Sequence, residues 1–167
     1  MNDMEAILFL KKHQPLPPDI ELTQPMLDEL EEIRVYFLGL SHPNAEALPY
    51  LLRVFGDGDG SGIYQRFYET IAKFPKELVI QNLIECLQNE HDSVKSWNAE
   101  IAVNYPDTRL IIPLSRMLIS VNSDVRWAAV FALSQIEDSK SVDILRNHYL
   151  HEDNTEIREI LKHIFDN

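Results

Sequence analysis

The stretch that decides the fold is SDVRWAAVFAL, residues 123–133. Six apolar positions, counted from Val125 and continued to Ile136, fall at steps of 0, 3, 4, 7, 8 and 11. This spacing places them on one face of an α-helix, because successive helical residues turn through about 100°. The stretch therefore predicts a helix with one buried face, and it leaves the other face for solvent or a partner.

The same spacing recurs along the chain at a nearly constant interval. The matching segments lie at offsets of 30, 31, 31 and 32 positions and begin at Ile33, Ile63, Val94, Val125 and Ile157. A second helical segment follows each of the first four, over residues 45–55, 76–87, 108–119 and 142–150. Proline, Asp or Ser in the short linkers ends one helix and caps the next.

A helical pair of this size cannot bury its own apolar face, so neighbouring pairs must stack and share one core. The sequence therefore predicts an all-α fold, an α-solenoid of about four and a half helical hairpins. We expect the repeat domain to cover residues 24–167. Residues 1–23 are expected to form an N-terminal segment with a short helix over 3–12 and a proline-rich linker over 15–18.

Composition and charge limit the class of partner. The 167 residues include 27 Asp and Glu against 15 Lys and Arg, a formal net charge of -12. This balance argues against nucleic acid and against anionic membranes, because both are bound largely through Lys and Arg. The one cysteine, Cys86, excludes an internal disulfide framework and fits a reducing compartment. No run of eighteen apolar residues occurs, and we expect a soluble cytoplasmic protein.

The fourth repeat carries a family resemblance. Residues 123–133 resemble the first helix of a short HEAT repeat, of the kind related to phycobilisome lyase repeats. The sequence IIPL at residues 111–114 resembles the proline-containing start of the second helix of such a repeat. Because HEAT repeats are scaffolds, this resemblance implies a HEAT-like solenoid fold and no particular activity.

One loop imitates a metal site. Residues 57–62 read DGDGSG, which places oxygen ligands at Asp57, Asp59 and Ser61 as in an EF-hand calcium loop. The twelfth position is Tyr68, however, and the acid Glu69 comes one residue late. We favour a flexible glycine loop with Ser61 capping the next helix, and keep calcium binding as the alternative. No cofactor is predicted.

No catalytic constellation can be assembled from the spacing of the residues. The dipeptide His151-Glu152 is similar to those of HEAT-like iron hydroxylases, but it occurs once and outside the first helix of a repeat. No nucleophile, base and orienting group come together in the pattern. We therefore predict that the chain is not an enzyme.

Two surfaces are predicted to be available for binding. Trp127 and Phe131 should lie on the outer side of the fourth repeat, one turn apart and next to Val130. An alternative is that residues 1–23 cover this patch. The second helices should line a concave groove of mixed charge, whose outward residues include Glu85, Arg109, Ile112, Arg116 and Asp143.

These features favour a non-enzymatic protein–protein interaction scaffold. The surplus of acid favours a basic protein partner and a fast electrostatic encounter. Small acidic HEAT-like proteins of this build are similar to bacterial immunity or adaptor proteins. The lyase-type resemblance leaves open an enzyme or chaperone that handles a chromophore or small molecule, and the glycine loop leaves open a calcium-regulated scaffold.

Overall fold

The computed structural model describes residues 1–166, and every regular element in that range is helical. The α-helices are α1 (Asp3–Lys12), α2 (Gln24–Gly39), α3 (Leu48–Leu51), α4 (Phe67–Ile71), α5 (Lys76–Cys86), α6 (Asp92–Ala102), α7 (Ile111–Met117), α8 (Ser123–Ser134), α9 (Ser139–His151) and α10 (Thr155–Asp166). Single 3-10 turns directly precede α3, α4 and α7. No described helix is both long enough and apolar enough to span a bilayer.

The helical pairs follow the predicted repeat. The pairs are α2 with α3, α4 with α5, α6 with α7 and α8 with α9, and α10 begins a fifth. The five residues that begin the repeated apolar spacing are all buried, among them Val94 and Val125 with no exposed surface and Ile157 with 1%. The prediction of an all-α solenoid of four and a half helical hairpins is therefore confirmed.

The chain forms two compact units, Met1–Asn82 and Leu83–Asn167. In the C-terminal unit, α6, α8 and α10 pack side by side in one layer, because α8 contacts both of the others. Helices α7 and α9 contact each other and α8, and they form the second layer. The core of this unit lies between the two layers and contains Leu114, Ala129, Leu133 and Leu145.

In the N-terminal unit, α2 packs against α4, and α1 packs against α3 and the turn before it. Helix α1 begins at a reciprocal cap in which Asn2 and Glu5 each bind the backbone N–H of the other. Its apolar face, with Phe9 and Leu10, is buried in this unit.

The first pair differs from the prediction at its second helix. Helix α3 ends at Leu51, whereas the sequence predicted a helix over residues 45–55. Beyond α3 the chain pairs with the N-terminal linker instead, since the N–H of Leu16 donates to the carbonyl of Val54 at 2.9 Å. The side chains of Val54 and Phe55 are fully buried. Their apolar character therefore marks core positions, but these residues are not helical.

The glycine loop is folded around an acid from the linker. The carboxylate of Asp19 accepts hydrogen bonds from the N–H groups of Asp59 at 3.0 Å and Gly60 at 2.9 Å. The N–H of Asp19 donates in turn to the carbonyl of Asp57 at 3.0 Å. We call Asp19 together with residues 56–62 the glycine clasp. The clasp ties the linker to the first repeat. Its glycines at positions 58, 60 and 62 have positive φ. The prediction that Ser61 caps the next helix is wrong, because the 3-10 turn before α4 begins at Tyr64 with Ile63 as its N-cap.

Candidate protein-binding surfaces

A buried carboxylate joins three helices of the C-terminal unit. Glu152 follows the last residue of α9, and its side chain has no exposed surface. Arg126 of α8 donates to both of its oxygens, from Nε at 2.9 Å and from Nη2 at 2.7 Å. The N–H of Asn154, just before α10, donates to Oε1 at 2.9 Å. These bonds stabilise the ionised form, with Arg126 the main cause, and lower the pKa of Glu152 to about 2.

A histidine lies against this carboxylate. His148 lies one turn before Glu152 on α9, with Nε2 2.7 Å from Oε2 of the carboxylate. Burial lowers the pKa of His148, although the carboxylate of Glu152 opposes that shift. Since Arg126 and the N–H of Asn154 bind both oxygens of Glu152, the acid of the dipeptide His151-Glu152 belongs to the repeat junction, while His151 is exposed.

The glycine clasp does not have the donor set of a calcium site. Calcium needs six to eight oxygens around one point. Here backbone N–H groups converge on the carboxylate of Asp19, which is the arrangement of an anion-binding nest. Of the three predicted ligands, Asp59 accepts from the N–H of Gly62 at 3.1 Å, while Asp57 and Ser61 are exposed. Over residues 1–166, no group of three or more His, Cys, Asp or Glu is arranged to hold a metal ion.

The outer face of α8 carries the predicted aromatic pair. The rings of Trp127 and Phe131 lie 4.4 Å apart between centroids, tilted by 39°. Trp127 is 37% exposed and Phe131 is half-buried. Val130 is fully buried, which corrects its predicted place on this patch. Because α6 and α10 both pack on α8, the buried arc of this helix is wider than one apolar stripe. We call Trp127 and Phe131 the aromatic surface.

The predicted second-helix residues are all exposed. All five reach solvent, and Ile112 is 44% exposed; the others are Glu85, Arg109, Arg116 and Asp143. The guanidinium of Arg109 binds both oxygens of its neighbour Asp107, at 2.8 and 2.9 Å. That pairing neutralises Arg109, so Arg109 offers a partner less charge than its sequence position suggested.

The C-terminal unit also has a groove between α7 and α9, with a volume of about 650 Å³. Leu118, Ile119 and Ile144 are the apolar residues of its lining. The rim is polar and includes Lys140, Asp143, Asn147 and His151 of α9. We call this feature the α7–α9 groove.

Sequence reasoning missed the exposed apolar residue Ile119 in the lining of this groove. The sequence predicted a second helix that ends at residue 119. Helix α7 instead ends at Met117, and Ile119 is 86% exposed in the linker that follows. Val121, two residues further on, is fully exposed. Two large apolar residues in a short linker of ISVN sequence, residues 119–122, were the available signal.

The stacked helical pairs define an α-helical repeat protein. Residues 125–151 match the family described as PBS lyase HEAT-like repeat. The matched segment covers one helical pair, from the first buried position of α8 to the end of α9. Together with the fold, this match supports a HEAT-like repeat architecture. No curated protein matches the chain.

Proposed function

We propose that this protein is a non-enzymatic scaffold that binds a basic protein partner, and that the aromatic surface is part of the interface. The observation that carries the proposal is the exposed Trp127, stacked on Phe131 on the outer face of α8. Tryptophan is enriched among the residues that dominate binding energy at protein interfaces, because it combines a large apolar area with few rotatable bonds.

The charges around the aromatic surface support a basic partner. By repeat register, Glu100 of α6 takes the place of Phe131, and Glu159 of α10 takes the place of Trp127. Since α6 and α10 flank α8, acidic positions lie on both sides of the aromatic pair. A Lys or Arg side chain of a partner would find an aromatic face for a cation–π contact and carboxylates beside it.

In its finer form, the proposal is a cytoplasmic immunity or adaptor protein that holds a basic protein by shape and charge. The net charge of -12 supports this, because a strong field of one sign speeds the encounter with a partner of the opposite sign.

The alternative, a HEAT-like lyase or chaperone for a small molecule, is less well supported. Such a protein needs an enclosed pocket with an available acid or base. The α7–α9 groove is open, with Ile119 largely exposed. Glu152, whose pKa is lowered to about 2, is bound by Arg126 through both of its oxygens.

A photocrosslinking experiment in the native host tests the proposed interface. A photoreactive phenylalanine analogue replaces Trp127 in one strain and Leu150, which is 70% exposed on α9, in a control strain. We expect one basic protein to crosslink at position 127 and not at position 150. The purified protein and its crosslinked partner should then associate more slowly at 0.3 M than at 0.05 M NaCl, by about tenfold or more.

Two results would count against this function. Equal crosslinking at both positions would mean that the aromatic surface is not a specific interface. An association rate that does not change with salt would remove the argument for a basic partner.

A further inference from the structure

The aromatic surface lies in one row with an exposed carboxylate of the same helix. Asp124, Trp127 and Phe131 are spaced i, i+3 and i+7 on α8, so they lie on one face within about 60° of arc. Side chains on a helix are directed towards its N-terminus. The ring of Phe131 accordingly lies against that of Trp127, 4.4 Å away between centroids, and the indole extends towards the turn that carries Asp124. A cationic group that stacks on the exposed part of Trp127 therefore has a carboxylate next to it.

The charge of Asp124 is available to a partner. Its carboxylate is exposed, and in residues 1–166 it makes no ion pair. Arg126, the one base of α8, is bound instead by Glu152 at 2.7 Å and by Asp153 at 3.2 Å. An acid in the first turn also stabilises its helix, but an exposed carboxylate does so without losing its charge. On the neighbouring α10, Glu156 takes the place of Asp124 in the repeat and is likewise exposed.

The layer formed by α6, α8 and α10 has a surplus of acid. These three helices contain six Asp and Glu against four Lys and Arg. Two of the four bases are held in ion pairs, Arg126 as above and Lys95 with Asp92 at 2.7 Å. The other two, Arg158 and the exposed Lys162, both lie on α10. The surface around Trp127 therefore favours a cationic side chain of a partner over an acidic one.

An arginine side chain matches this surface better than a lysine side chain. A guanidinium is flat, so it can stack on an aromatic face and donate N–H groups to a carboxylate at the same time. A lysine ammonium is a compact, strongly hydrated point charge that loses more hydration in such a contact. The arginine arrangement also exists within this protein. The guanidinium of Arg158 lies 4.8 Å from the ring centroid of Tyr149, while its Nη1 donates to the carbonyls of Tyr149 at 3.3 Å and Glu152 at 3.0 Å.

We propose that the aromatic surface binds an arginine side chain of the partner, stacked on Trp127 with its guanidinium directed to the carboxylate of Asp124. This inference rests on the proposed function, because it takes the partner to be a basic protein that contacts this surface. It adds the side chain that is recognised and the residue, Asp124, that selects it.

An NMR titration of the full-length, ¹⁵N-labelled protein tests the inference. The probes are two synthetic peptides of equal length and charge, in which glycine alternates with arginine in one and with lysine in the other. The indole N–H signals of the two tryptophans report separately, and Trp97, which is only 8% exposed, serves as the internal control. We expect the arginine peptide to shift the signal of Trp127 and not that of Trp97. It should bind about fivefold more tightly than the lysine peptide.

Matched variants locate the contact. Asp124→Asn should weaken binding of the arginine peptide about threefold and bring its affinity close to that of the lysine peptide. Asp143→Asn removes the same charge at an exposed position of α9 and should change the affinity less than about 1.5-fold, because the charge lies away from the stacked ring. Both positions are exposed, so thermal unfolding of each variant serves as the check that the fold is intact.

Several results would overturn the inference. These are equal affinity for the arginine and lysine peptides, no shift of the Trp127 signal, an equal shift of the Trp97 signal, or an Asp143→Asn effect as large as that of Asp124→Asn. The proposed function is judged separately by the crosslinking at position 127. A partner that crosslinks there while the two peptides bind equally would retain the proposed function and refute the role of arginine.

Discussion

The carboxylate of Glu152 has no exposed surface, yet it stays ionised because Arg126 and the N–H of Asn154 bind its oxygens. A buried charge that loses its partner costs far more than an exposed one, since water cannot replace the lost bonds. Arg126 also donates to the carbonyl of Ser120 at 3.0 Å, before α8. This single ion pair thus connects the linker before α8 with the C-terminal end of α9 and the N-terminal end of α10.

At the residue scale, we predict that Glu152→Gln lowers the free energy of unfolding by about 3 kcal/mol at pH 7. The folded-state pKa of Glu152 is about 2 against a usual value of 4.5. Its stabilising effect is therefore complete above pH 4.5 and is lost as the pH falls towards 2. Urea unfolding between pH 4.5 and pH 2 should show that the difference in unfolding free energy between the wild-type protein and Glu152→Gln becomes smaller.

Glu159→Gln is the control for this prediction, because it removes the same charge at an exposed position of α10. It should change the unfolding free energy by less than about 0.5 kcal/mol. Two results would contradict this prediction: an equal loss of unfolding free energy in both variants, or a loss in Glu152→Gln that stays constant down to pH 2. Either would mean that the buried ion pair is not the source of the stability difference.

At the scale of elements, the glycine clasp explains why the first repeat is built differently from the fourth. Asp19 accepts two N–H groups from the loop, and Tyr64 is fully buried beside it with its hydroxyl accepting from the N–H of Gly56 at 3.1 Å. Burial raises the pKa of Tyr64 to about 12, so the phenol stays neutral at any physiological pH. The loop is thus an ordered connection that holds the N-terminal linker in place.

For the clasp, we predict that Gly60→Ala destabilises the protein by about 2–4 kcal/mol and Gly62→Ala by about 1 kcal/mol. Both glycines have positive φ, +59° and +82°, so both substitutions strain the backbone. Only at Gly60 would the new methyl group meet a neighbour, the ring of Tyr64 at 2.5 Å, while nothing lies within 4 Å of it at Gly62. Thermal and urea unfolding followed by circular dichroism give both values. Equal losses in the two variants would show that Tyr64 does not limit the space at position 60.

For the whole molecule, the dominant property is a net charge of -12. Much of the stabilising electrostatics is local, as in the pairs of Arg126 with Glu152 and of Lys95 with Asp92 at 2.7 Å. The remaining acids repel one another over longer distances, and salt screens such exposed charges much more than a buried pair.

We therefore predict that raising NaCl from 0.02 to 0.5 M at pH 7.5 increases the Tm by roughly 2–4 °C, the change that about 1 kcal/mol produces in a chain of this size. The same addition at pH 5, close to the pI of about 4.8, should have little effect because the net charge is then nearly zero. Differential scanning calorimetry at the two pH values measures both changes in Tm. A Tm that fell with salt at pH 7.5 would mean that exposed ion pairs outweigh the repulsion.

The sequence by itself determined the repeat architecture, because the spacing of apolar residues in a helix is a local property. Val94, Val125 and Ile157 could be identified as core positions from that spacing alone. The exposure of Trp127 followed from the same helical geometry.

Only the tertiary structure decided the features that depend on contacts between distant residues. Val130 is buried because α8 has neighbours on both sides, and Ile119 is exposed because α7 ends two residues earlier than its apolar pattern suggested. Two other contacts join residues that are far apart in the sequence, Arg126 with Glu152 over 26 residues and Asp19 with Gly60 over 41 residues. Contacts over such separations produce no local pattern in the sequence. A periodic sequence fixes which face of a helix is apolar, but the partners of its charges and the ends of its helices are set by what packs against them.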